Sequence, residues 1–227
     1  MVRARKIPQI LDEQVKRWEF HARARARKAP VRPVIVISRQ RGAGGREVAR
    51  RVAERQGLDL FDRDLIHMVA ESSHLAERVV ETLDEKGRLA VDEWVLRSVS
   101  SRHLMPDQYL EHLMKVVGTI GLHGGAVIVG RGASFIIPER TCARVRVVAP
   151  LETRVRNVAA ELGIPLDEAR RVVMSVDSER AAFVRKNFHA DIDDDNHYDL
   201  VINTGAFSVD QAVGLIVAAA EAACGKS

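Results

Sequence analysis

From residue 34 onward, short β-branched runs alternate with amphipathic segments. Val34, Ile35, Val36 and Ile37 form an unbroken apolar run, the pattern of a strand buried on both faces of a parallel sheet. A glycine-rich stretch follows, Arg41, Gly42, Ala43, Gly44 and Gly45, and then Val48, Ala49, Val52 and Ala53 recur at helical spacing until Gly57. The pattern next predicts a short strand over 58–61, a helix capped by Asp62 and running to about His74, and helical pieces through 76–123. Further strands are predicted at 126–129, just before Gly130, Arg131 and Gly132, and at 143–148. Helices at 151–162 and 165–188, a last strand at 199–202 and a closing helix at 209–223 complete the order. Such an alternation predicts an α/β domain over 34–227, with a parallel sheet, helices on both faces, and ligands at the carboxyl ends of the strands.

Ahead of this domain, residues 1–33 form a basic arm. A helix is expected from about Pro8 to Ala26, with Ile10, Leu11, Gln14, Val15, Trp18 and Ala22 on one side and Pro30 and Pro33 ending it. Its apolar side has three readings: packing on its own domain, a homodimer contact, or a weak contact with an anionic surface.

Composition narrows the function classes. The chain has 227 residues, 46% apolar and 29% charged, enough for one compact domain with a full core. No apolar run reaches the roughly 18–20 residues that cross a bilayer, and the charged N-terminus lacks the apolar stretch of a secretory signal, so a cytoplasmic protein is expected. The net charge of +4 is uneven: ten Lys or Arg face three acids in residues 1–33, leaving the rest slightly acidic. That distribution, with only 4% aromatic residues, argues against a nucleic-acid surface and for Trp18 and Trp94 as packing anchors. Two cysteines, Cys142 and Cys224, are too few for a disulfide framework or a paired-cysteine zinc site and are expected as reduced, buried thiols. The eight histidines form no HExxH or similar ligand pair. The acidic run Asp191, Asp193, Asp194 and Asp195 lacks the glycine and terminal glutamate of a calcium loop and reads as a solvated turn; no metal ligand is assigned.

The chemistry-bearing segment is Ser38 to Glu47. Backbone N–H groups exposed by glycines ahead of a helix form a concave positive site for phosphate. The dinucleotide fingerprint GxGxxG fails here, because alignment on Gly42 and Gly44 places Glu47 at the third glycine. GxxxxGK[ST] fails as well, since Arg39 stands at its first glycine and Gly45 at its lysine. Arg46 could supply the absent cation, with Arg41 as an alternative. The competing reading is a glycine turn present for steric reasons, with both arginines in solvent.

Four ordered blocks resemble the cytidylate kinase-like family, a branch of the P-loop nucleoside monophosphate kinases. They are Ile37-Ser38-Arg39-Gln40 with Gly42 to Glu47, Phe61 to Ile66, Val129 to Ala133, and Tyr198 to Thr204. In established cytidylate kinases a Gly-Arg-Asp-x-Gly-Thr block helps hold the acceptor. Here Gly130 and Arg131 match, Gly132 replaces the aspartate and Ser134-Phe135 replaces Gly-Thr. Asp177 and Arg180 resemble the lid's aspartate–arginine pair, while Val173 stands where a further lid arginine would be.

The resemblance implies a three-layer P-loop fold with a helical acceptor-side insertion at 76–123 and a helical lid at 165–190. It also implies ATP and Mg²⁺ as cofactors and a nucleoside monophosphate, cytidylate or deoxycytidylate, as acceptor. The stretch Arg41, Gly42, Ala43, Gly44, Gly45 and Arg46 would hold the donor phosphates. Arg180, Arg185 and Lys186 would close over the transferring group, and Arg63 and Arg131 would hold the acceptor phosphate. Asp62 and Asp177 would bond the acceptor base or sugar, or bind magnesium through water. Two other functions fit the altered motifs: a nucleotide-binding sensor without turnover, or a kinase for another small metabolite.

Overall fold

A computed structural model describes residues 7–24, 32–138 and 141–224. The apolar runs become five strands, β1 (Val34–Arg39), β2 (Asp59–Phe61), β3 (Ala126–Val129), β4 (Ala143–Val148) and β5 (Leu200–Asn203). All pair in parallel in the order β2-β3-β1-β4-β5. Side chains alternate across the sheet. Val34, Val36 and Ile128 face one helical layer, and Ile35, Ile37, Val127, Val129, Val145 and Val147 face the other. Full burial of one such side chain contributes about 1.5–3 kcal/mol, which explains why these runs settle at the centre of the sheet.

The second layer is α2 (Gly45–Gln56) and α10 (Val209–Cys224). The first holds α1 (Ile7–Ala24), α3 (Arg63–Glu71), α4 (Ser73–Val80), α5 (Glu85–Arg102), α6 (Gln108–His123) and a single turn, α7 (Ala133–Ile136). The helical hairpin α8 (Leu151–Leu162) and α9 (Leu166–Phe188) has its own small core of Val155, Val158, Ala169 and Val173. The distal end of α9 joins the main core through Val184 and Phe188.

The helix expected from Asp62 to about His74 is two helices. Ser72 adopts an extended backbone (φ −108°, ψ 111°), and its hydroxyl accepts the Leu75 N–H at 3.3 Å, so it starts α4 where the apolar periodicity alone continues. Strand β1 runs two residues beyond the β-branched run, bringing Ser38 and Arg39 into the sheet.

Helix α1 lies on its own chain. Leu11, Val15 and Trp18 are buried, and Trp18 stacks on His123 at 4.5 Å and on Phe61 at 5.7 Å. Gln14 donates to Asp59 at 3.0 Å and Arg78 to Asp12 at 2.7 Å. The apolar side offered above as a homodimer contact is therefore covered within the chain. Arg3, Arg5, Lys6, Arg25, Arg27, Lys28 and Pro30 lie outside the described residues. Cys142 is buried.

Candidate active site

The chain leaves β1 toward one sheet edge and leaves β3 toward the other, so the loops after these two neighbouring strands flank the switch point of the sheet. Register brings them level: Ile37 pairs with Val129, and the Gly130 N–H donates to the Ile37 carbonyl at 3.1 Å. Both loops carry the glycines singled out above.

The loop after β1 turns through left-handed Gly42 (φ 81°) and Gly44 (φ 71°) into α2. A Cβ on residue 42 would stand 2.5 Å from the Arg154 carbonyl oxygen, so backbone angle and space both require glycine there. The loop is held from several sides. Arg41 N–H donates to Asp177 Oδ1 at 2.8 Å, Asn157 Nδ2 to the Gly42 carbonyl at 2.8 Å, and Thr204 Oγ1 to the Ala43 carbonyl at 2.9 Å. Arg154 Nη1 joins Asp177 Oδ2 at 2.5 Å. Helices α3, α4, α5 and α6 each begin with a side-chain cap from Asp62, Ser72, Asp84 and Asp107. Helix α2 has none, and its N-terminus opens on a cavity of about 590 Å³. Unfilled N–H groups and the positive end of the helix dipole suit that cavity to an anion.

The loop after β3 places Gly130, Arg131 and Gly132 in succession at positive φ, Arg131 at 50°. A non-glycine residue there costs on the order of 1–3 kcal/mol and persists where the surroundings fix it. Arg131 faces a second cavity of about 180 Å³, walled by Phe135, Phe183 and Val184, with its guanidinium 5.8 Å from the Phe183 ring centre.

The two cavities share Arg39, Arg63 and Arg180 in their walls. Arg180 reaches the Arg39 carbonyl at 2.9 Å and Asp177 Oδ1 at 3.4 Å. The Nε atoms of Arg131 and Arg180 are buried without a hydrogen-bond partner. Burial lowers the pKa of both guanidinium groups. Arg39 is pushed down to about 9, first by burial and then by Arg180, Arg63 and Arg46. Among the described residues, Arg39, Arg63 and Arg131 form no ion pair. Arginines gathered here outnumber the carboxylates that pair with them, and partly desolvated cations without a direct ion-pair partner suit a polyanionic ligand.

The remaining sequence candidates fall unevenly around this centre. Arg46 lines the larger cavity, its side chain largely exposed and 3.4 Å from Asp64. Arg41 is there too, 3.0 Å from Glu161. Asp62 spends Oδ1 on the N–H groups of Asp64 and Leu65, at 3.1 and 3.0 Å. Asp177 ties the hairpin to the glycine loop. Arg185 and Lys186 are exposed, and neither they nor Asp62 are among the residues walling the two cavities. Glu47 turns along α2, where hydrogen bonds from Arg50 and Arg51 pull its carboxyl down to about 2. In the acidic run, Asp191 and Asp194 bond backbone N–H groups of their own turn and Asp193 pairs with buried Arg146. No group of three or more His, Cys, Asp or Glu among the described residues could hold a metal. Sequence reasoning missed Arg39, Asp64, Asn157 and Arg154. The available signal for Arg39 was a cation closing a buried strand at the sheet's carboxyl edge.

The sequence model of the cytidylate kinase-like family matches residues 34–206. The chain belongs to that family. Among its relatives, the cytidylate kinase of Methanopyrus kandleri is 28% identical over 196 residues, covering 82% of this chain and 92% of that one. The cytidylate kinase of Desulfurococcus amylolyticus is 28% identical over 183 residues, covering 80% and 89%. In fold, an uncharacterized protein from Eubacterium ventriosum matches with a TM-score of 0.67 at 21% identity, covering 84% of this chain and 99% of that one. The family match begins at β1, after the basic arm, and contains both glycine loops and all the arginines shared by the two cavities. No helix of the described residues is long and apolar enough to cross a membrane.

Proposed function

We propose that this member of the cytidylate kinase-like family transfers the γ-phosphoryl group of magnesium-bound ATP to a cytidylate, CMP or dCMP. The observation that carries the reading is the meeting of two cavities on one set of arginines: one cavity begins at an uncapped helix N-terminus, the other at a strained Arg131. A phosphoryl transfer needs this arrangement, a donor and an acceptor phosphate brought in line with cations where charge gathers. The names of the relatives support cytidylate as the acceptor.

The unfilled N–H groups of α2 and the orphaned Nε atoms of Arg131 and Arg180 fit phosphate oxygens. Magnesium is commonly held by one or two carboxylates together with phosphate oxygens and waters, and a lining carboxylate such as Asp64 fits that pattern. Asp64, which lines the larger cavity, would hold the ion through water. When bound, the ion neutralises charge on the donor oxygens.

In this reading the loop from Arg41 to Arg46 binds the donor, and Arg63 and Arg131 bind the acceptor phosphate. Asp177 orients Arg180 over the reacting centre, and Phe135 and Phe183 exclude water. The acceptor phosphate is ionised at neutral pH and needs no base. The test is an assay of Mg·ATP against the ribo- and deoxyribonucleoside monophosphates, with Arg131→Ala as control. Turnover should be highest with CMP or dCMP and fall about 10²-fold or more in the variant. Turnover confined to another acceptor would refute cytidylate; ATP binding without turnover would make the protein a nucleotide sensor.

A further inference from the structure

The glycine loop lacks a lysine, and the arginine beside that position does not replace it: Arg46 is splayed to the surface, its side chain 77% exposed and paired with Asp64. A different side chain occupies the centre. Arg39, the last residue of β1, runs through a slot between the two glycine loops. A Cβ at residue 45 would stand 2.6 Å from its Cβ, and one at residue 130 would stand 2.2 Å from its Nη1. Each loop thus has a glycine where Arg39 passes. Arg39 lines both cavities, and its charged surroundings are Arg180, Arg63, Arg46 and Asp64. It has no hydrogen-bond or ion-pair partner among the described residues.

We propose that Arg39 is the cation that bridges donor and acceptor phosphates during transfer, in the role a loop lysine would fill. This rests on the kinase reading above and deepens it. An acceptor phosphate oxygen forms the new bond to the γ-phosphorus while the bond to the β–γ bridging oxygen breaks. The departing oxygen keeps the electron pair, ADP leaves, and no proton changes hands. Negative charge builds on the oxygens on both sides of the moving group, and a guanidinium has N–H donors enough to meet oxygens on two sides at once. Three neighbouring arginines make the pocket unfavourable for this charge until those oxygens arrive.

The experiment uses the full chain with Arg39→Gln and Arg39→Lys. Arg39→Gln removes an unpartnered charge from among cations and should fold with a melting temperature at or above that of the unaltered protein, while Arg39→Lys keeps the charge on a similar stem and should fold as the unaltered protein does. Three quantities are read: kcat with Mg·ATP and CMP, KM for each, and calorimetric affinity for tripolyphosphate, a polyanion with three linked phosphates. Arg39→Gln should lose about 10²–10³ in kcat with KM values within about fivefold, the scale of one lost transition-state donor. It should bind tripolyphosphate at least about tenfold more weakly, and Arg39→Lys should recover a substantial part of both losses.

Unchanged kcat in Arg39→Gln would overturn the proposal, as would equal impairment of both variants, which would mean that shape rather than charge matters. If the unaltered protein transfers no phosphate, the kinase reading fails and tripolyphosphate binding alone decides for Arg39. Weakened binding in Arg39→Gln would then keep it as the bridging cation. Equal binding, or none by the unaltered protein, would remove it.

Discussion

Arg131 sits in a left-handed conformation, desolvated, with a buried Nε that lacks a partner. A residue held so serves something other than stability. Arg131→Gly should leave the melting temperature unchanged or raised, because relief of backbone strain offsets the greater freedom glycine gains on unfolding. Activity should fall as in Arg131→Ala, and a thermal melt beside a rate measurement checks both. Arg39 gives a pH expectation. Burial and the neighbouring arginines hold its pKa down at about 9 in the fold, well below the ordinary guanidinium range, so the charge opposes folding at neutral pH and the penalty lifts as pH rises above about 9. Measured without anions by urea unfolding, the stability difference between the unaltered protein and Arg39→Gln should shrink from pH 8 to pH 10. Saturating tripolyphosphate should raise the melting temperature of the unaltered protein more than that of the variant.

Among the elements, α9 and the glycine loop are joined through Asp177, which accepts the Arg41 N–H and pairs with Arg154 and Arg180. Asp177→Ala should leave the sheet intact but let Arg180 and the loop drift. A displacement of about 1 Å can cost 10²-fold in rate, so kcat/KM should fall by about that factor with an unchanged circular dichroism spectrum. Strands β1, β3 and β4 and helices α8 to α10 were legible because their apolar periods are long and their ends carry glycine or proline. The α3–α4 break was not, because one serine hydroxyl competing for the backbone leaves no mark on hydrophobic spacing. The glycine loop was legible as the turn between β1 and α2, where Gly42 and Gly44 take the left-handed positions. The smaller cavity was not, because its walls come from β1, α3, the loop after β3, α7 and α9 and meet only in the folded chain. Arg39 was hidden for a related reason: only register reveals that its side chain lies between Gly45 and Gly130.

At the scale of the whole molecule, α1 is a working part of the first helical layer, so the basic arm cannot be removed without loss. Trp18→Ala would take away the ring stacked on His123 and Phe61, and truncation of a buried tryptophan costs about 3–5 kcal/mol. Urea unfolding should show a loss of that size, while light scattering should show the same particle mass as the unaltered protein. One long helix also links two cores. Helix α9 is pinned at its distal end, where Phe188 lies over Gly132 and against Phe135 at 5.6 Å, and at its other end it carries the small core shared with α8. At 1.5 Å per residue, Leu166 is about 33 Å from that pin and Arg180 about 12 Å. A tilt of the helix about Phe188 would carry Arg180 about 1 Å for about every 3 Å at Leu166, and the bonds of Asp177 to the glycine loop and Arg154 oppose it.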